Sequence, residues 1–169
     1  MKPLDTPDIH HVRAAEGWLE LGDDAEALRE LENISPTEKD HPVVLELRFQ
    51  ILAKRSEWDA CRGIAEMITQ QLPDFAGGWL HLAYATRRAT GGSDQAAFDV
   101  LEPAAEKFSD EPTIPYNLAC YVCQLGKLSE AREWLKRAFA IGDKKQIKLM
   151  ALHDADLKPL WEEIPKMES

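Results

Sequence analysis

The stretch Asn117-Leu118-Ala119-Cys120-Tyr121-Val122-Cys123-Gln124-Leu125-Gly126-Lys127-Leu128-Ser129-Glu130-Ala131-Arg132-Glu133-Trp134-Leu135-Lys136-Arg137-Ala138 decides the fold. It reads as a helix, a glycine turn and a second helix with Ala131, Leu135 and Ala138 on one face. Outward from it, the first of these alanines recurs. Ala27, Ala60, Ala97 and Ala131 stand 33, 37 and 34 residues apart, and four positions after each comes Leu31, Ile64, Leu101 or Leu135. Such a period marks a repeat architecture, in which each helical hairpin buries its apolar face only against its neighbours. The expected product is a binding surface, not a reaction.

The quoted unit resembles a tetratricopeptide repeat (TPR), with Leu118 and Ala119 as the interlocking pair, Gly126 at the turn, and Ala131 and Ala138 at the close approach of the two helices. The other units align less faithfully: Ala14, Ala15, Trp18 and Gly22 before Ala27; Val44, Leu47 and Ile51 before Ala60, with Met67 after it; Trp79, Leu82 and Ala83 before Ala97, with Ala104 after it. The resemblance covers about residues 8–142 and implies an all-α, right-handed superhelical solenoid of about four hairpins. Thr90-Gly91-Gly92-Ser93 accommodates the longer third period, since a turn tolerates insertion. Two departures stand out. Lys54-Arg55 take the place of a turn glycine, and Pro103 interrupts a helix, where it removes a backbone donor and forces a kink or break.

Apolar spacing and breakers predict paired helices over 8–21 and 24–34, 42–54 and 57–72, 75–89 and 94–108, and 113–125 and 128–141, the last stopped by Gly142. Residues 1–7 and 165–169 are expected to be tails. A capping segment over 143–164 is expected to cover the end of the stack, using Ile147, Leu149, Met150 and Leu152 and then Leu157, Leu160, Trp161 and Ile164. The run Asp154 to Leu160 resembles the closing tail of many bacterial TPR proteins.

At 169 residues the hairpins and cap use nearly the whole chain, leaving no room for a catalytic domain. The net charge of −10 argues against nucleic-acid binding, which rests on Lys and Arg. Charge is unevenly placed: residues 1–40 carry eleven acids against four bases, and residues 127–148 seven bases against three acids. With no secretory leader, no long apolar run and three cysteines, the chain is expected to be cytoplasmic.

Catalytic chemistry finds little footing. Cys120 and Cys123 form a Cys-x-x-Cys pair, but no second pair or His doublet completes a metal site, and both fall inside a helix, not at its N-terminus. They read as small buried hydrophobes. The five histidines are scattered, and Gly77-Gly78 and Gly91-Gly92 lack the Lys-Ser or Lys-Thr of a phosphate loop. The five tryptophans follow the repeats and read as packing residues. No enzyme activity, cofactor or metal is expected.

In the TPR family the first helix of each hairpin lines a groove that takes a peptide. The resemblance places Val12, Glu16, Leu19, Leu45, Phe49, Leu52, Leu80, Tyr84, Arg87, Arg88, Tyr116, Asn117, Cys120, Cys123 and Gln124 on that face, suited to apolar anchors and an acidic group. The first two hairpins lack the cations of a chaperone-tail clamp. The fourth unit, with Asn117-Leu118-Ala119, Gly126-Lys127 and Lys136-Arg137-Ala138, also resembles kinesin light chain repeats. That narrower likeness implies a scaffold on bacterial tubulin-like filaments, with membrane association, and the basic run Lys136, Arg137, Lys144, Lys145 and Lys148 would meet such acidic surfaces. Self-association through the oppositely charged ends and service as a regulatory subunit are further alternatives.

Overall fold

A computed structural model describes residues 3–168, and every regular element among them is helical. The chain divides into two compact units, Met1–Thr90 and Gly91–Ser169. The first contains α1 (Thr6–Leu21), α2 (Asp24–Glu32), α3 (Pro42–Lys54), α4 (Trp58–Gln71) and α5 (Ala76–Arg88). The second contains α6 (Asp94–Leu101), α7 (Ala104–Lys107), α8 (Thr113–Gln124), α9 (Leu128–Ile141), α10 (Lys144–Ala151) and two 3-10 segments, Ala155–Leu160 and Ile164–Lys166. The unit boundary falls inside the expected third hairpin, so α5 packs on α4 in one unit and α6 on α8 in the other.

Three hairpin turns share one geometry. Gly22, Ser56 and Gly126 have φ of 84°, 59° and 77°, and the amide of the next residue, Asp23, Glu57 or Lys127, donates back to Trp18, Leu52 or Val122. This six-residue closure satisfies carbonyls that the helix end leaves open. Ser56, not Lys54-Arg55, therefore occupies the glycine place of the second unit.

The same register corrects the second repeat. Five residues after each turn comes a wholly buried small side chain: Ala27, Cys61 and Ala131. Ala60 is exposed, so Cys61 is the true counterpart of Ala27, Ala97 and Ala131. Four and seven positions later the pattern continues as Leu31 and Ile34, Ala65 and Ile68, Leu101 and Ala104, and Leu135 and Ala138, all at most 2% exposed. Sulfur replaces methyl because an apolar thiol packs as a small hydrophobe. Its Sγ lies 3.8 Å from the Phe49 carbonyl, to which it donates.

Pro103 breaks the expected 94–108 helix into α6 and α7, as its missing amide requires. At the other end, Thr6 and Pro7 already belong to α1, and Met167 is buried, so neither stretch is simply a tail. Met1, Lys2 and Ser169, which fall in the expected tails, lie outside the described residues. Asp8, in the first turn of α1, is 3% exposed, and its Oδ1 accepts from the amide and hydroxyl of Ser35 at 2.8 and 3.1 Å. That contact ties the segment after α2 to the start of α1.

Ser56→Gly is expected to raise the urea midpoint, adding up to about 1 kcal/mol by removing the left-handed penalty of a side chain. Cys61→Leu is expected to cost about 1–3 kcal/mol by overpacking, whereas Ala60→Glu should stay within about 0.5 kcal/mol. A large loss for the Ala60 variant would contradict the register.

Candidate functional site

Helices α1 and α3 run beside each other in the first unit, and their unpaired faces form a cleft closed at one side by the end of α4. It is lined by Glu16, Leu19 and Glu20 from α1, by Pro42, Val43, Glu46, Leu47 and Gln50 from α3, and by Ile68, Leu72 and Phe75. Its volume of about 490 Å³ is in the range of sites that hold ligands. Val43 and Phe75 are 38% and 42% exposed, an apolar surface that no neighbour covers fully. Phe75 is held by two glycines. A Cβ on Gly77 would stand 2.4 Å from its ring, and one on Gly78 would stand 2.9 Å from Ile68 Cγ2. The Gly77-Gly78 pair thus permits close packing at the start of α5.

The polar wall is acidic. Glu16 and Glu20 are exposed, while Glu46 is half-buried and accepts at Oε1 from His81 Nε2, 2.7 Å away, and from Gln50 Nε2 at 3.3 Å. The His81 ring stacks on Phe49 at 4.1 Å, and Glu46 Oε2 is buried with no hydrogen-bond partner among the described residues. The His81 hydrogen bond holds the Glu46 carboxyl below its ordinary value, against the opposing effect of burial, with the imidazole charge and Gln50 helping. Lys54, which donates to the Leu19 carbonyl at 2.9 Å, is also 3.7 Å from Asp24. An adjoining hollow shares Pro42 and Leu72 and adds Glu38 and Asp40.

The residues expected on one groove are distributed differently. Phe49 is 4% exposed and lies in the core behind the cleft, not on its surface. Tyr84 is 40% exposed, with the Arg88 guanidinium 3.4 Å from its ring centre and Trp58 edge-on at 5.6 Å, a cationic stack outside the cleft lining. Arg87 is half-buried on the same helix.

On α8 the expected surface is covered by the chain itself. Tyr116 and Cys120 are buried, and both donate to Asp154 Oδ2, at 2.8 and 3.6 Å. Gln124 Nε2 donates to the Asp156 carbonyl at 2.8 Å, and Asn117 Nδ2 to the Thr113 carbonyl on its own helix. The availability of Tyr116 and Cys120 to a partner is thereby corrected. Leu157, Leu160 and Ile164 are fully buried against α8 and α9, and Arg132 clamps Glu163 through two bonds of 2.6 and 2.9 Å. Residues 154–164 thus cover this face of α8.

Cys120, Asp154 and Asp156 bring three ligand-type atoms within 4.8 Å. Asp154 is already occupied, since its other oxygen caps the 3-10 segment through the Asp156 amide at 3.0 Å. Burial pushes the Cys61 thiol up to about 11, and burial followed by Asp156 pushes the Cys123 thiol up. A redox thiol needs the opposite shift.

The basic run is engaged locally. Lys136 pairs with Glu133 at 2.9 Å, Arg137 with Glu106 at 2.9 Å, and Lys144 with Glu168 at 3.2 Å, while Lys148 donates to the Pro165 carbonyl at 2.9 Å. Lys145 is exposed on α10 beside Leu149 and Met150, which are 61% and 47% exposed.

Leu160→Ala is expected to cost about 2–5 kcal/mol, the range for emptying a filled core site. Leu149→Ala should stay within about 0.5 kcal/mol; equal losses in denaturant melts would contradict the lid. Because the Glu46 carboxyl is depressed in the folded state, its contribution is present above the ordinary carboxylate value and is lost as pH falls through the depressed one. Glu46→Gln should therefore flatten the acid limb of the stability profile, and an unchanged limb would contradict that assignment.

No protein-family profile and no curated protein matches the sequence. Solved structures do. The MamA 41-end chain from Desulfovibrio magneticus RS-1 is 16% identical with a TM-score of 0.71, covering 97% of this chain and 94% of that one. The MamA RS-1 ArsTM double mutant is 13% identical with a TM-score of 0.70, covering 82% and 76%. A thermophilic TPR protein of Thermus thermophilus is 18% identical with a TM-score of 0.68, covering 95% and 100%. At these identities the likeness speaks for the fold alone, and the chain has the TPR-like helical solenoid fold.

Proposed function

We propose that this chain is a non-enzymatic protein-interaction scaffold that takes partner proteins in the cleft between α1 and α3. The observation that carries the reading is the contrast between the first helices of the two units. The faces of α1 and α3 leave an open, apolar-walled cleft, whereas the face of α8 is closed by the chain's own Asp154–Leu160 segment. The TPR fold of its structural neighbours supports a binding role, since proteins of this fold generally act as interaction modules. Burial holds the Cys61 and Cys123 thiols in their protonated form, which fits a reducing, cytoplasmic setting.

A second reading keeps the kinesin light chain-like scaffold on tubulin-like filaments or membranes. The observation in its favour is the exposed Lys145, Leu149 and Met150 face of α10. It ranks lower because four of the five expected cations already have neighbours as partners. Self-association draws on that face too.

The test is affinity capture from source-cell lysate with three baits: the native chain, the cleft variant Val43→Glu with Phe75→Ala, and the α10 variant Lys144→Glu with Lys145→Glu. The expected result is a protein captured by the native and α10 baits and lost with the cleft bait. Loss only with the α10 bait would move the second reading to the front. Capture of nothing, or capture unaffected by either change, would overturn the scaffold reading.

A further inference from the structure

We infer that the segment seated between α1 and α3 is cationic: a peptide stretch of a separate protein presenting bulky apolar side chains flanked by lysine or arginine. This rests on the cleft being the binding surface and adds the sign of its partner. The expectation from sequence was an acidic group, drawn from Arg87 and Arg88. Neither arginine lines the cleft. The side chains that do include three carboxylates, Glu16, Glu20 and Glu46, and no lysine or arginine.

The carboxylates stand where they can act. Glu16 and Glu20 are four apart on α1, so they share one helix face, with Leu19 between them in sequence and in the same lining. Across from them Val43 and Phe75 offer apolar area. Glu46 adds a buried carboxylate oxygen with no hydrogen-bond partner among the described residues. Like charges gathered at a concave surface raise the local potential, which attracts the opposite sign and repels the same sign. The adjoining hollow adds Glu38 and Asp40 next to this surface. An acidic segment would meet repulsion from Glu16 and Glu20, and a neutral apolar one would leave those carboxylates to be desolvated without compensation.

The experiment is selection from a displayed library of random dodecapeptides on three full-chain baits: native, Glu16→Lys with Glu20→Lys, and Val43→Glu with Phe75→Ala. Both glutamates are exposed, so the charge-reversed chain should keep the native melting midpoint, checked by circular dichroism. The native bait is expected to enrich peptides with Lys or Arg beside Leu, Phe, Trp or Met, and the charge-reversed bait to bind them about tenfold or more weakly in low salt. Added salt should narrow the difference. Enrichment of neutral or acidic peptides that still need Val43 and Phe75 would overturn the inference and leave the cleft reading standing. Identical enrichment on all three baits would overturn both. Concentration-dependent self-association of the native chain that the Glu16, Glu20 variant abolishes would make the occupant a second copy, and the separate partner would be wrong.

Discussion

The hairpins α1–α2, α3–α4 and α8–α9 depend on the approach of the second helix to the first across one small buried side chain. Ala27, Cys61 and Ala131 each sit at the fourth position of their helix, with no exposed surface. A larger residue there would hold the helices apart and strip contacts from the aliphatic positions four and seven residues on. Because interiors pack at crystal-like density, such a gap costs both dispersion and burial. The turn five residues earlier serves the same end. Its left-handed residue reverses the chain tightly enough for the small side chain to meet its partner helix, and Ser56 does so in spite of its Cβ.

From that constraint follows the division of labour between faces. Once the second helices are committed to packing, what each first helix offers depends on what else covers it. In the first unit, Leu19, Val43 and Phe75 are left with water on one side and carboxylates around them. In the second unit, α8 has α6, α9 and the 3-10 segment against it, and nine of its twelve residues are buried. Asp154 is central to that closure, receiving Tyr116 and Cys120 while capping the segment that follows it. The buried Tyr116 hydroxyl is satisfied within the chain, which removes a reason for an outside ligand to displace the lid.

Much of the fold was legible because its signal is local. The alanine period, the turn glycines and the break at Pro103 all act within a few residues of where they are read. The second repeat was misread by one position because Ala60 and Cys61 are both small, and only the depth of the helix decides which faces inward. The site was less legible. Tyr116 and Asp154 are 38 residues apart, so the covering of α8 depends on a contact that no spacing rule announces. Arg87 and Arg88 suggested a cationic groove, yet Arg88 is held over Tyr84 and Trp58. The acid excess of residues 1–40 did foreshadow the cleft's sign, although placing Glu46 and the uncovered faces of Val43 and Phe75 beside Glu16 and Glu20 required the packing of α1 against α3.

In the function proposed, partners enter the first unit's cleft while the fourth hairpin keeps its own lid. Hydrogen exchange of the full chain, with and without a saturating peptide ligand, tests it most directly. Added protection is expected only on α1, α3 and the segment around Leu72–Phe75, with exchange over residues 154–164 unchanged. Protection appearing on α8 together with faster exchange of the 154–164 segment would contradict it, for the ligand would then have taken the lid's place.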